Sequence, residues 1–199
     1  MRLIAILFVV AGSACVTVAP RERAAVVLPP SVWPQDTTIH WYDIDGDDEP
    51  QLRALLDAKG PLDSEGNRHD AYTSWYVKWH FPLAQTEEGC TTGPVTTTVR
   101  SDITLPRWRA PAGDSPLVKK WRKYLDALSE HESGHREIGF NAAAEITDVL
   151  PRLPPQPTCD EAVASANALA LQVLEQHRKR DAEYDSETRH GATQGAVFP

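Results

Sequence analysis

With 199 residues, 41% of them apolar, the chain is long enough for one domain with a substantial core. A formal charge of −8 excludes a nucleic-acid binder, which needs a basic face for phosphates. Beyond the N-terminus no stretch is long and apolar enough to span a bilayer, and sixteen prolines foretell irregular connections.

Residues 1–15 read as a secretory signal: Arg2, then the apolar run Leu3 to Val10, then the small residues Ala11 to Ala14 before Cys15. Cys15 is a lipidation candidate that would anchor the chain to a membrane, although Gly12 stands where a lipoprotein signal carries an aliphatic residue. Plain signal cleavage near Ala14 or Ala19 is the alternative, with Pro20 disfavouring the second site. Residues 16–36, with Pro20, Pro29, Pro30 and Pro34 and no helical period, read as a tether ahead of a domain spanning 37–191.

Thr37 to Ile44, rich in β-branched and aromatic residues, predicts a strand. Asp45 to Asp48 forms a turn into a short helix, about Glu49 to Lys59, with Pro50 in its first turn and Gly60-Pro61 closing it. The acidic run from Asp43 to Asp47 has the wrong spacing for a calcium loop, since its glycine comes too early and Ala54 stands at the bidentate position. Tyr72 to Phe81 alternates Trp75, Val77, Trp79 and Phe81 with Tyr76, Lys78 and His80, the pattern of a half-buried strand whose aromatic stripe belongs to the core. A further strand, Val95 to Leu105, is expected to pair with it antiparallel and to stop at Pro106.

From Ser115 the period changes. Leu117, Trp121, Tyr124, Leu125, Leu128, His131, His135, Ile138 and Ala142 follow spacings of three and four, one face of a helix running to about Leu150 with Ser115-Pro116 as its start. Prolines 151, 154, 155 and 157 end it. A last helix is expected from about Asp160 to Asp185, and residues 192–199 show no pattern and read as a tail. Cys90 and Cys159 remain once Cys15 is set aside. In an exported chain they predict a disulfide closing a loop of roughly 70 residues, which stabilises by about 4 kcal/mol in the chain-entropy model.

The chemistry resides in His131-Glu132-Ser133-Gly134-His135, an H-E-x-x-H stretch. On a helix, positions four apart share a face, so both imidazoles can reach one cation, and Glu132 beside them can take a proton from a water held there. Catalytic zinc has three protein ligands and an open position. The third histidine of metzincins would fall at Asn141, which excludes that subclass. The end of the last helix offers Asp181, Asp185, Glu187 and, just beyond, His190.

These residues carry a resemblance. HESGHREI at residues 131–138 and YDSETRHG at residues 184–191 match the H-E-x-G-H-x-x-I and Y-D-x-x-T-x-H-G elements of a family of bacterial exported proteins described as predicted secreted zinc-dependent proteases. The similarity spans about Thr37 to Gly191 and includes the positions of both cysteines. It implies a zincin-like centre with Zn2+ on His131, His135 and a third ligand. His190 is the first choice because it lies in the family-like element, Asp185 the runner-up as ligand or as a carboxylate orienting an imidazole, and Glu187 the third. Glu132 is the expected general base; Tyr184 either assists the oxyanion or simply packs. His40, His69, His80 and His177 are expected to be surface or core residues.

The expectation is therefore an α+β fold: a small antiparallel sheet with one short helix, then two long helices carrying a zincin-like site. The expected function is an exported, periplasmic or cell-envelope zinc metallopeptidase acting on a peptide or protein substrate, with no nucleic-acid partner. A non-catalytic envelope scaffold with structural or vestigial zinc, and a zinc amidase acting on cell-wall peptides, are the alternatives.

Overall fold

The computed structural model describes residues 23–26 and 36–198. The signal-type segment with Cys15 and most of the tether lie outside these residues. The order of elements is β1 (Arg23–Val26), β2 (Thr37–Ile44), α1 (Glu49–Lys59), β3 (Tyr72–His80), β4 (Leu83–Thr86), β5 (Gly89–Thr92), β6 (Thr96–Pro111), α2 (Pro116–Val149) and α3 (Cys159–Thr188). The class is α+β, as the sequence predicts.

Strand β6 is the spine of a mixed four-stranded sheet. On one edge β2 pairs with it in parallel, Thr37 opposite Ser101 through Ile44 opposite Trp108. On the other edge β3 pairs antiparallel with residues 96–104, and β1 pairs antiparallel with residues 108–111. Two expectations are corrected here. The sheet is mixed because β2 runs parallel to β6, and Arg23–Val26, inside the expected tether, forms an edge strand. Strand β6 also continues through Pro106. That residue falls between the segments paired with β3 and β1, where one edge of β6 has no partner strand among the described residues and a missing N–H is tolerated. Beyond it, Trp108 and Ala110 are buried.

The helix starts follow from their caps. Asp48 accepts from Gln51 N at α1, Ser115 from Val118 N at α2, and Thr158 with Glu161 forms a reciprocal capping box at α3. Helix α2 lies against the sheet. Its N-terminal half buries Trp121, Tyr124 and Leu128 against Leu105, Trp108 and α1. Its C-terminal half buries Ala142 and Ile146 against Ala166, Ala170 and Val173 of α3, under Trp75, Val77 and Trp79 of β3 and Phe81 just beyond it. Small residues at this crossing let the two helices approach closely. The Cys90–Cys159 disulfide ties β5 to the start of α3 and indicates an oxidising, exported compartment. No helix among the described residues is long and apolar enough to cross a membrane.

The segment after Gly191 is folded, contrary to its reading as a tail. It makes a 3-10 turn at Ala192–Gln194 and ends with Phe198 buried against Trp121 and Tyr124, ring centroids 5.4 and 5.2 Å apart. A single apolar residue has no periodicity to announce it.

Candidate metal centre

Helix α2 brings His131 and His135 to the face that meets α3, where both are buried, 3% and 6% exposed. Their Nε2 atoms lie 3.3 Å apart. Asp185 of α3 completes the group: its Oδ1 is 3.1 Å from His131 Nε2 and 3.2 Å from His135 Nε2. These three side chains form a cluster able to hold a metal ion. Three nitrogen and oxygen ligands bound at about 2.0–2.1 Å to a tetrahedral ion stand about 3.3 Å from each other, so the triangle has the right size.

The outer nitrogens point the same way. His135 Nδ1 lies 2.9 Å from Asp181 Oδ1, and His131 Nδ1 lies 3.0 Å from Gln194 Oε1. An acceptor oxygen at each Nδ1 places the ring proton there and leaves both Nε2 lone pairs aimed at one point. Two lone pairs and a carboxylate oxygen at such separations need positive charge between them, either a proton or a cation. In the protein alone, burial opposes charge on His135, but the Asp181 and Asp185 carboxylates outweigh it and push its pKa up to about 10. Burial likewise works to raise Asp185, while His131 and His135 hold its carboxyl well below the usual range.

Of the expected third ligands, the structure gathers the runner-up with the histidines and not the first choice. His190 does not join the cluster; Asp185 does. Residues 189 and 190 adopt left-handed backbone (φ 52° and 50°), which turns the chain off the end of α3. The His190 side chain is 63% exposed, and its Nδ1 lies 3.3 Å from Asp185 Oδ1, on the wall of the cavity that the cluster lines. Glu187 is exposed on another face of α3, beside Arg180, Glu183 and Asn141. Asn141 points away from the imidazoles, in keeping with the exclusion of a metzincin ligand.

Glu132 is 3% exposed. Thr73 of β3 donates to its Oε2 at 2.6 Å, which uses one of its two oxygens. Burial raises its pKa, opposed by His135, Thr73 and His131. Glu132, both histidines and Asp185 line a cavity of about 710 Å³ whose far wall is the segment from Asp63 to Thr73. Asp63 anchors that wall: its carboxylate accepts from the backbone of Glu65 and Asn67 and contacts His69 Nε2 at 2.9 Å. His69, expected to be a surface or core residue, thus faces the same cavity.

Tyr184 is outside this cavity. Its ring stacks on His131 at 5.1 Å and 14°, and its hydroxyl donates to the His131 carbonyl at 3.2 Å. Of the two roles open to it, the packing one matches this position. The ring lies so close to α2 that a Cβ on Gly134 would sit 2.3 Å from its hydroxyl, which is why the motif carries glycine there. Gln194 and Thr73 carried no sequence signal of their own, whereas Asp181 and Asp185 repeat the four-residue spacing of the histidines.

No curated protein and no solved structure matches the chain. A family model described as a bacterial protein of unknown function (DUF922) matches residues 39–191, which run from within β2 through α3 and hold all three clustered side chains, and the chain belongs to that family.

Proposed function

We propose that this protein is an exported zinc-dependent metallopeptidase of the bacterial cell envelope. The observation that carries the reading is the convergence of His131 Nε2, His135 Nε2 and Asp185 Oδ1 within 3.3 Å of one another, beside the buried carboxylate of Glu132, at the floor of an open cavity. Two imidazoles and one carboxylate suit zinc, and the same donors also serve ferrous iron, so elemental analysis of the purified protein belongs in the test. The ion, when bound, would polarise a substrate carbonyl and acidify a water.

The chain's own groups supply the rest. Glu132 accepts a proton from the attacking water and returns it to the departing amine. Burial raises its affinity for that proton, so the carboxyl can hold it between the two transfers. Thr73 keeps the carboxylate in one orientation through Oε2. Asp181 and Gln194 hold the two imidazoles in the tautomer that presents Nε2. A cavity of about 710 Å³ opens beside these groups to receive a peptide, and export through the segment 1–15, with or without lipidation at Cys15, would place it among envelope proteins and peptides.

The test compares wild type with Glu132→Gln for metal content and for cleavage of an unstructured protein such as casein. Both should contain about one zinc, and the variant should lose about 10²- to 10⁴-fold in cleavage rate. Cleavage that survives in Glu132→Gln would refute the base. A wild type that takes up no zinc would remove the centre. Zinc uptake without cleavage of casein or of cell-wall peptides would favour the non-catalytic envelope domain.

A further inference from the structure

The family match ends at Gly191, yet the centre does not. Arg189, His190 and Gly191 take three successive left-handed conformations, φ 52°, 50° and 79°, and reverse the chain off α3. Gly191 then passes directly beneath His131; a Cβ there would lie 2.9 Å from His131 Cγ. The 3-10 turn that follows delivers Gln194 to the back of the imidazole.

Gln194 closes a ring of hydrogen bonds around His131. Its Oε1 accepts from His131 Nδ1 at 3.0 Å, its Nε2 donates to the Tyr184 hydroxyl at 3.0 Å, and that hydroxyl donates to the His131 carbonyl at 3.2 Å. Thr188 adds a second oxygen on the same side. Its hydroxyl donates to Tyr184 O at 2.7 Å, which leaves a lone pair facing His131 Nδ1 at 3.5 Å. With two acceptor oxygens behind Nδ1, the ring proton belongs there, and Nε2 carries the lone pair that an ion requires. Past Gln194 the segment is fastened by Phe198, whose ring is buried with Trp121 and Tyr124 and whose carbonyl accepts from Arg53 at 3.4 Å.

We propose that Gln194 is a positioning residue for the metal centre: the C-terminal turn, outside the matched family region, fixes the His131 tautomer and so sets metal affinity. This rests on the metal-centre reading but not on peptidase activity.

The test titrates Zn2+ into the full chain against a chromophoric chelator and records the Co2+ spectrum, for wild type, Gln194→Leu and Gln194→Glu. Leucine keeps the bulk but removes the acceptor; glutamate keeps the acceptor. Gln194→Leu should bind zinc about 10- to 100-fold more weakly and alter the Co2+ bands, while Gln194→Glu should stay within about threefold of wild type. Melting of the metal-free proteins reads any general loss of structure separately. Equal zinc affinity in Gln194→Leu and wild type would overturn the proposal, as would a Gln194→Glu variant as weak as Gln194→Leu. A wild type that binds no zinc would overturn the metal centre itself, a separate outcome.

Discussion

Gly134→Ala should destabilise this protein, against the ordinary rule for helices. In a helix interior, replacing glycine with alanine stabilises by about 1 kcal/mol. Here the added Cβ would fall 2.3 Å from the Tyr184 hydroxyl and 2.4 Å from its Cζ. An ordinary carbon contact is about 3.5–4.0 Å, so the ring must retreat by more than about 1 Å. It is not free to do so: it is stacked on His131, bonded to the His131 carbonyl and held by Gln194. Forced overpacking costs about 1–3 kcal/mol, and a spoiled hydroxyl contact adds about 1 kcal/mol. The net is a loss of about 1–3 kcal/mol, or roughly 2–12 °C in melting temperature for a domain of this size. Thermal unfolding of the metal-free protein reads the stability, and competition with a chelator reads zinc affinity, which should fall by about tenfold as His131 loses its stacking partner. The reasoning predicts a change of sign: in a Tyr184→Ala background, the same Gly134→Ala substitution should stabilise by up to about 1 kcal/mol. A Gly134→Ala protein that melts no lower than wild type, with no sign change in the double variant, would refute the close packing of Tyr184 on α2.

Asp185→Ala should weaken zinc binding by more than about 100-fold, whereas His190→Ala should change it by less than about threefold; a chelator competition that finds the reverse would return His190 to the ligand set. Zinc binding should release about one proton at neutral pH, because a proton otherwise sits among His131 Nε2, His135 Nε2 and Asp185 Oδ1. Calorimetry in two buffers of different ionisation enthalpy measures it, and zinc affinity should fall as pH falls, since the proton and the ion compete for one place. Phe198→Ala should cost about 3–5 kcal/mol, as for a buried ring, and a loss below about 1 kcal/mol on denaturant titration would show that the C-terminal segment is a tail after all.

The elements were legible where one physical pattern fixed them, and illegible where two had to be combined. The alternation in Tyr72 to Phe81 and the three-four spacing of α2 each reports one buried face, and both faces are where they were expected. Alternation does not say which strand lies alongside, nor in which direction. The parallel pairing of β2 with β6 is therefore invisible in either segment taken alone. Pro106 misled for a related reason. A proline ends a strand only where its missing N–H would have met a partner, and which edge of β6 lacks a described partner strand at that point is a property of the sheet.

The third member of the cluster is a sharper case, because a signal for it was present in the spacing. Asp181 and Asp185 stand four residues apart on one face of α3, an arrangement of like charges that weakens an isolated helix. Such a pair persists where something positive faces it. The histidines of α2 have the same spacing, and antiparallel helices match such pairs crosswise, His135 to Asp181 and His131 to Asp185. Farther along the same crossing, His177 of α3 meets Glu145 of α2 at 2.8 Å, in the same antiparallel sense. The register of two helices thus selects Asp185 as the residue opposite the paired Nε2 atoms and puts Asp181 at the back of His135. His190 lies past the last helical residue, where the left-handed turn at 189 and 190 sets its Nδ1 beside Asp185 Oδ1, at 3.3 Å, and not among the paired Nε2 atoms.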